Sequence, residues 1–200
     1  MSFWDDRYSR DDYLFGEAPN AFLATQSHLL TESGKALSIA DGEGRNGVWL
    51  AEQGLDVVSM DASPVGLDKA KKLAGKRGVL LKTYLLDISD YDWPSERFDV
   101  VAGIFFQFAG PDLRDTIFAG MVQTLKPGGL LILQGYGPRQ LEYKTGGPRI
   151  LENLYTEELL AEKFAALEIL HLSEHDSEVA EGSAHVGLSH LVDLVGRKPG

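Results

Sequence analysis

The chain has 200 residues, 44% of them hydrophobic and 24% charged, with a formal net charge of -11 and no cysteine. Length and composition fit one soluble globular domain, and no apolar run is long enough to span a bilayer. The absence of cysteine excludes disulfides, thiolate metal sites and thiol nucleophiles; the acidity makes nucleic acid an unfavourable partner. The opening "MSFWDDRYSRDDY" is too acidic and aromatic for a signal or transit peptide, so a cytoplasmic protein is expected. The one basic cluster, Lys69 to Arg77, reads as the solvated face of a helix.

In chain order, a polar, aromatic arm precedes a helix expected near Pro19 to Leu30. "ALSIA" from Ala36 reads as a buried strand, Arg45 to Gln53 as a helix, and "DVVSMD" as a second strand. Ser63 then has the chemistry of an N-cap, with Pro64 at the first helical position. "VLLKTYLLD" and "FDVVAGIFF" are further strands, the latter followed by a helix from Asp112 to Leu125. "KPGG" reads as a turn into a fifth strand, "LLILQGY" from Leu130. The segment Gly135 to Arg149 reads as a long Gly- and Pro-rich loop, and long loops in compact domains are usually functional. After a helix near Thr156 to Phe164, "LEILHLSEH" and "GLSHLVDLVGRK" form a hairpin that makes one strand antiparallel. The alternation predicts an α/β fold: a doubly wound Rossmann-like sheet of seven strands, mostly parallel, with an antiparallel last strand. Residues 1–35 would be an arm and helix covering a cofactor site, and 36–200 the Rossmann-like core of the same domain.

The stretch "IADGEGRNG" carries Gly42-x-Gly44-x-x-Gly47 between a strand and a helix, with Asp61 19 residues beyond Gly42. Such a turn offers backbone N–H groups to an anionic group, and Asp61 suits ribose hydroxyls. The pattern alone admits a dinucleotide or a nucleoside–amino acid cofactor. Asp87, ending the next strand in "LLDI", suits an adenine amino group, with the Ile88 N–H as a donor to the ring.

The succession "LSIADGEGRN", "VVSMDAS", "LLDI", "FDVVAGIF" and "LKPGGLLIL" resembles class I S-adenosylmethionine-dependent methyltransferases over nearly the whole chain. "FWDDRY", "FGEAPNAFL", "TGGP" and "EGSAHVGLSHLVDLVGRK" are similar to the small bacterial tellurite-resistance and thiopurine-methyltransferase-like group. The resemblance implies S-adenosylmethionine as cofactor, S-adenosylhomocysteine as product, and contacts from Tyr13, Asp41, Gly42, Gly44, Asn46, Asp61, Ala62, Asp87, Ile88 and Ile104. The family's first motif has an acid where Ser38 stands here; Asp41, three residues on, is expected to attract the cofactor's ammonium group instead.

Methyl transfer from a sulfonium needs in-line positioning and a dry site, with a base only where the nucleophile arrives protonated. Gln107, Tyr136 and His185 are the catalytic candidates, His185 as the base in the turn of the final hairpin. Arg139 and Tyr143 belong to a candidate lid, and Trp4, Tyr8 and Phe15 to an arm folded over the cofactor. His171 and His175, four apart in a strand, do not converge, and no metal is expected. The acceptor is expected to be a small molecule, a thiol or a chalcogen oxyanion; an oxyanion would need local help from Arg45, Arg139 or Arg149. A monomer or weak homodimer, without nucleic acid or membrane partners, is expected. An NAD(P)-dependent oxidoreductase and a non-catalytic S-adenosylmethionine-binding protein are the alternatives.

Overall fold

The computed structural model describes residues 3–143 and 145–200. Met1 and Ser2 of the expected arm, and Lys144 of the expected loop, lie outside the described residues. One sheet holds β1 (Lys35–Ile39), β2 (Asp56–Asp61), β3 (Lys82–Leu85), β4 (Phe98–Ile104), β5 (Leu125–Tyr136), β6 (Glu168–Glu181) and β7 (His185–Arg197). The order is β3-β2-β1-β4-β5-β7-β6. Neighbours from β3 to β5 pair in parallel, and β7 runs antiparallel to both β5 and β6. This is the Rossmann-like sheet expected, with the last strand of the chain reversed.

The helices are α1 (Phe3–Tyr8), α2 (Ala21–Thr25), α3 (Arg45–Glu52), α4 (Pro64–Arg77), α5 (Pro111–Thr124), α6 (Gln140–Tyr143) and α7 (Glu157–Lys163). The central strands read as continuous apolar runs because both faces are covered. On one face Leu37, Ile39, Val101, Leu131 and Leu133 meet Ile117, Phe118 and Met121 of α5 and Leu160 of α7. On the other, Ala36, Val100, Ala102, Leu130 and Ile132 meet Leu23 of α2 and Leu50 of α3. Each leucine fully buried here contributes roughly 1.5–3 kcal/mol.

The caps follow the sequence. Ser63 Oγ accepts from the Gly66 N–H at 3.1 Å, Pro64 opens α4, and Gly78 closes it at φ 71°. Other elements depart from expectation. The helix expected over Pro19–Leu30 is a single α-helical turn, α2, continued by a 3₁₀ turn over Gln26–Leu29. Part of the arm is helical, as α1. "KPGG" is not a turn before β5 but a bulge inside it: the pairing steps from Phe98↔Leu125 to Val100↔Leu130, with Gly128 at φ 77°. The extra residues bend out of the ladder without ending it. The final hairpin is longer than expected, so His185 is the first residue of β7 rather than part of the turn.

Candidate functional site

The strand order reverses at β1, between β2 and β4, and open α/β sheets bind ligands beyond the carboxyl ends of strands at such a switch point. A cavity of about 510 Å³ opens there. Its walls come from Ala40 and Asp41 after β1, Asp61 and Ala62 at the end of β2, Asp87 and Ile88 after β3, Ile104 to Phe108 at the end of β4, and Tyr136 of β5. Ala40 (φ 46°) and Phe105 (φ 54°) both line it in left-handed backbone conformations. For non-glycine residues such conformations cost on the order of 1–3 kcal/mol and persist where surrounding contacts hold them. Here the neighbouring Asp41 N–H donates to Met60 O at 3.1 Å and the Phe105 N–H to Gln134 O at 2.9 Å.

The glycine turn is occupied by the chain itself. A Cβ on Gly42 would meet the Tyr8 hydroxyl, one on Gly44 would meet Ala70 of α4, and one on Gly47 would meet the Asp41 carboxylate. The three glycines therefore admit the roof, a second helix and a buried acid. Of residues 41–47, Asp41, Arg45 and Asn46 line the cavity; Gly42 and Gly44 do not.

Three acids meet at this turn. Asp61 accepts from the Gly42 and Ser63 N–H groups, each at 2.8 Å, and lines the cavity. Burial pushes its carboxyl up, and those N–H groups oppose the shift. Asp41 accepts from Ser38 Oγ at 2.8 Å, Ser59 Oγ at 2.7 Å and the Gly47 N–H at 3.2 Å. Burial raises it too, against those donors. Its oxygens are thus engaged in joining β1, β2 and α3, although the residue borders the cavity. Glu43 is buried in an ion pair, 2.5 Å from Lys69 Nζ. Farther along the wall, exposed Asp87 accepts from the Ser89 N–H at 3.0 Å and hydroxyl at 2.8 Å, and the backbone donor above all holds its carboxyl below the usual range.

Lys69 corrects the reading of the basic cluster as wholly solvated. It is buried, and its Nζ donates to the carbonyls of Tyr8 at 3.3 Å, Arg10 at 3.0 Å and Asp12 at 2.6 Å. Ser63 Oγ donates to Asp5 at 2.6 Å. These bonds dock α1 over the cavity, where Phe3, Trp4, Arg7 and Tyr8 form its roof. Tyr13 lies elsewhere: its hydroxyl donates to Lys69 O at 3.0 Å and its ring packs beside Val48 and Leu73, outside the cavity.

The opposite wall is aromatic and cationic. Phe105 lies between Tyr136 and His185, with ring centroids 4.7 and 4.6 Å away, and Phe15 is 4.4 Å from His185. Arg45 Nη2 is 2.6 Å from Glu181 Oε2. Arg45 Nη1, the Tyr136 hydroxyl and His185 Nδ1 are buried without a hydrogen-bond partner. Burial pushes the Tyr136 phenol up. Burial also lowers His185, assisted by Arg45 and Arg7 and opposed by Glu181. Glu181 would be raised by burial, but His185, Arg45 and the Ala21 N–H outweigh it and bring its carboxyl to about 2.

Gln107 lines the cavity, but its amide is committed to backbone: it donates to Tyr136 O at 2.8 Å and Asn153 O at 3.1 Å, and accepts from the Tyr136 N–H at 2.5 Å. It shapes the wall and has no free polar group to offer. Asn46, also in the wall, accepts from the Asn20 N–H at 2.9 Å. Arg139 lies away from the cavity, 3.1 Å from Asp176 of β6, and Tyr143 faces the same acid. The loop is strapped to β7 by Thr145, which donates to Leu188 O at 2.7 Å, and by Gln140, which accepts from the His190 N–H at 2.9 Å. Among the described residues of that segment beyond β5, Gly146, Gly147 and Pro148 reach the cavity. Glu181 and the clamp role of Lys69 escaped sequence reasoning; the signal available for Glu181 was its place four residues before His185 in "EGSAH".

Residues 36–129 match a family described as a methyltransferase domain. An uncharacterized methyltransferase, sll0829, of Synechocystis sp. (strain PCC 6803) is 30% identical over 113 residues, 56% of this chain and 51% of the relative. The chain spans about half the length of the curated relatives it matches. Among solved structures, TehB from Haemophilus influenzae superposes with a TM-score of 0.74 at 18% identity, covering 98% of this chain and 66% of that one. The N-methyltransferase NodS from Bradyrhizobium japonicum, in complex with S-adenosylhomocysteine, superposes with a TM-score of 0.71 at 17% identity, covering 98% and 97%. At such identities the structural likeness is one of fold. Residues 36–129 are thus similar to a methyltransferase domain, and the fold as a whole is Rossmann-like. No helix among the described residues is long and apolar enough to cross a membrane.

Proposed function

We propose that the protein transfers a methyl group from S-adenosylmethionine to a small acceptor of the thiol or chalcogen oxyanion type, as a cytoplasmic enzyme of the tellurite-resistance and thiopurine-methyltransferase-like group. The observation that carries this reading is the placement of Asp61 and Asp87 along one wall of a switch-point cavity. Asp61, fixed by two N–H donors, keeps lone pairs for vicinal hydroxyls. Asp87 and the Ile88 backbone are placed for a purine edge, with Ile104 on the wall. The charge of the turn supports the choice of cofactor. Asp41, Glu43 and Asp61 converge there with Lys69 as the cation paired to Glu43. Such a field suits a sulfonium and an ammonium group and opposes a pyrophosphate, which disfavours the dinucleotide alternative. With its oxygens engaged, Asp41 acts on an ammonium group through its field rather than by a direct bond.

When bound, the cofactor supplies an already activated methyl group. What remains for the chain is to orient the acceptor, exclude water and take a proton. The roof of α1 and the rings of Phe15 and Phe105 line the cavity with apolar surface that disfavours water. Tyr136, its phenol raised by burial, stays a hydrogen-bond donor. His185, kept neutral by burial, is the proton acceptor for a thiol. Arg45 offers the local cation that an oxyanion needs.

Calorimetric titration with S-adenosylhomocysteine and with NAD(H) tests the cofactor. Binding of the former should raise folding stability by about 2.7 kcal/mol at a hundred times its dissociation constant. Indifference to it, or preference for NAD(H), overturns the reading. Turnover on thiols, selenite and tellurite then tests the acceptor class.

A further inference from the structure

We infer that Glu181 is the positioning residue for His185: it fixes the imidazole with Nδ1 protonated and turned inward, so that Nε2 meets the cavity as the proton acceptor. The inference rests on the proposed role of His185 as the base. Glu181 ends β6 and His185 begins β7, across a turn of residues 182–184. Oε1 of Glu181 accepts from Asn20 Nδ2 at 2.9 Å and the Ala21 N–H at 3.0 Å; Oε2 accepts from Arg45 Nη2 at 2.6 Å. A carboxylate has about four lone-pair sites, and the one left belongs to Oε2, which lies 3.9 Å from His185 Nδ1. That separation exceeds a hydrogen bond, but catalytic contacts often close only when substrate is bound.

The ring has little freedom to choose otherwise. Phe15 and Phe105 pack on it at 4.4 and 4.6 Å, and Tyr136 stands edge-on at 5.8 Å. With the ring held, the open question is which nitrogen carries hydrogen. Nδ1 is buried with no hydrogen-bond partner, and a carboxylate oxygen of Glu181 stands 3.9 Å from it. A negative oxygen favours an N–H dipole over a lone pair, so the proton resides on Nδ1. The charged and titratable groups facing the ring are Glu181 from β6, Arg45 from α3 and Arg7 from α1, with the phenol of Tyr136 from β5. When an acceptor thiol gives its proton to Nε2, its electron pair stays on sulfur, and the imidazolium charge is faced by Glu181.

Nitrogen-15 NMR of the full chain labelled at histidine, without cofactor, tests this. His185 of the wild type should show the Nδ1–H tautomer in roughly tenfold excess, corresponding to about 1.4 kcal/mol. In Glu181→Gln the excess should collapse and the His185 pKa should fall further, because the arginines remain and the negative charge is gone. In Arg45→Met the tautomer should persist and the pKa should rise, which keeps the test open if Glu181→Gln does not fold. An Nε2–H tautomer in the wild type, an unchanged tautomer in Glu181→Gln, or an unmoved pKa in Arg45→Met overturns the inference. None of these readouts needs turnover. A wild-type chain that ignores S-adenosylhomocysteine yet shows the expected tautomer overturns the proposed function and leaves the Glu181–His185 arrangement standing.

Discussion

The two walls of the cavity are assembled differently. The wall beyond β1, β2 and β3 is local: Asp41, Asp61 and Asp87 each follow or end a strand, and their bonds run mainly to nearby turns. The wall beyond β4, β5 and β7 is distant. Arg45 meets Glu181 across 136 positions, and Asn20 meets it across 161. The first wall is a property of strand-to-helix turns; the second exists only once the hairpin has folded back over the arm.

The roof joins the two walls, and cutting its clamp gives the largest effect. Lys69→Met should leave Glu43 buried and unpaired, costing roughly 3–5 kcal/mol of stability in urea unfolding; adding Glu43→Gln should restore most of it. A loss under 1 kcal/mol would mean the clamp is incidental. Next, Asp61→Ala should weaken S-adenosylhomocysteine about a hundredfold by calorimetry, as two charge-assisted bonds and the hydroxyl acceptor are lost. Asp41→Asn tests the difference between neighbouring acids. Stability should fall by about 2 kcal/mol, with a smaller loss of affinity than in Asp61→Ala; the reverse ranking would return Asp41 to direct cofactor contact. The smallest effect concerns pH. Burial lowers His185 below its ordinary value of 6.5. The neutral form is thus favoured in the folded state, and its contribution is complete above pH 6.5 and is lost as pH falls from there toward the folded pKa. The stability difference between wild type and His185→Asn should shrink over that interval. A difference that stays flat with pH would place the imidazole in a more solvated setting.

The distribution of long and short contacts explains what the sequence disclosed. Strands β1, β2 and β4 announce themselves because both faces are buried, and Ser63-Pro64 announces α4 by local capping chemistry. The placement of Asp61 at the end of β2 was readable for the same reason, whereas Asp87, expected to end the third strand, lies two residues beyond β3 and caps the 3₁₀ turn Ile88–Asp90. Tyr13 was placed at the cofactor, but Lys69 draws its hydroxyl to the back of α4. Gln107 sits where expected, yet the backbones of Tyr136 and Asn153 consume its amide. Arg139 and Tyr143, read as lid residues, are drawn off to Asp176 on β6. No local pattern marks Lys69 as buried, since its partners are carbonyls of the arm and an acid in the glycine turn. Glu181 was marked only by its place four residues before His185, because its importance comes from three groups on two other segments and one across its own hairpin.

Gly182, at the tip of the last hairpin, has φ 64°, and an added Cβ would stand 2.4 Å from Gly16 N, Leu14 O and Phe15 C. The adjoining Ser183 N–H donates to Leu14 O at 2.9 Å. The arm at residues 14–16 and the last hairpin are thus seamed together, main chain against main chain, with no side chain at Gly182 to act as a spacer. A side chain at Gly182 would therefore part the arm that carries Phe15 from the hairpin that carries His185, whose rings lie 4.4 Å apart.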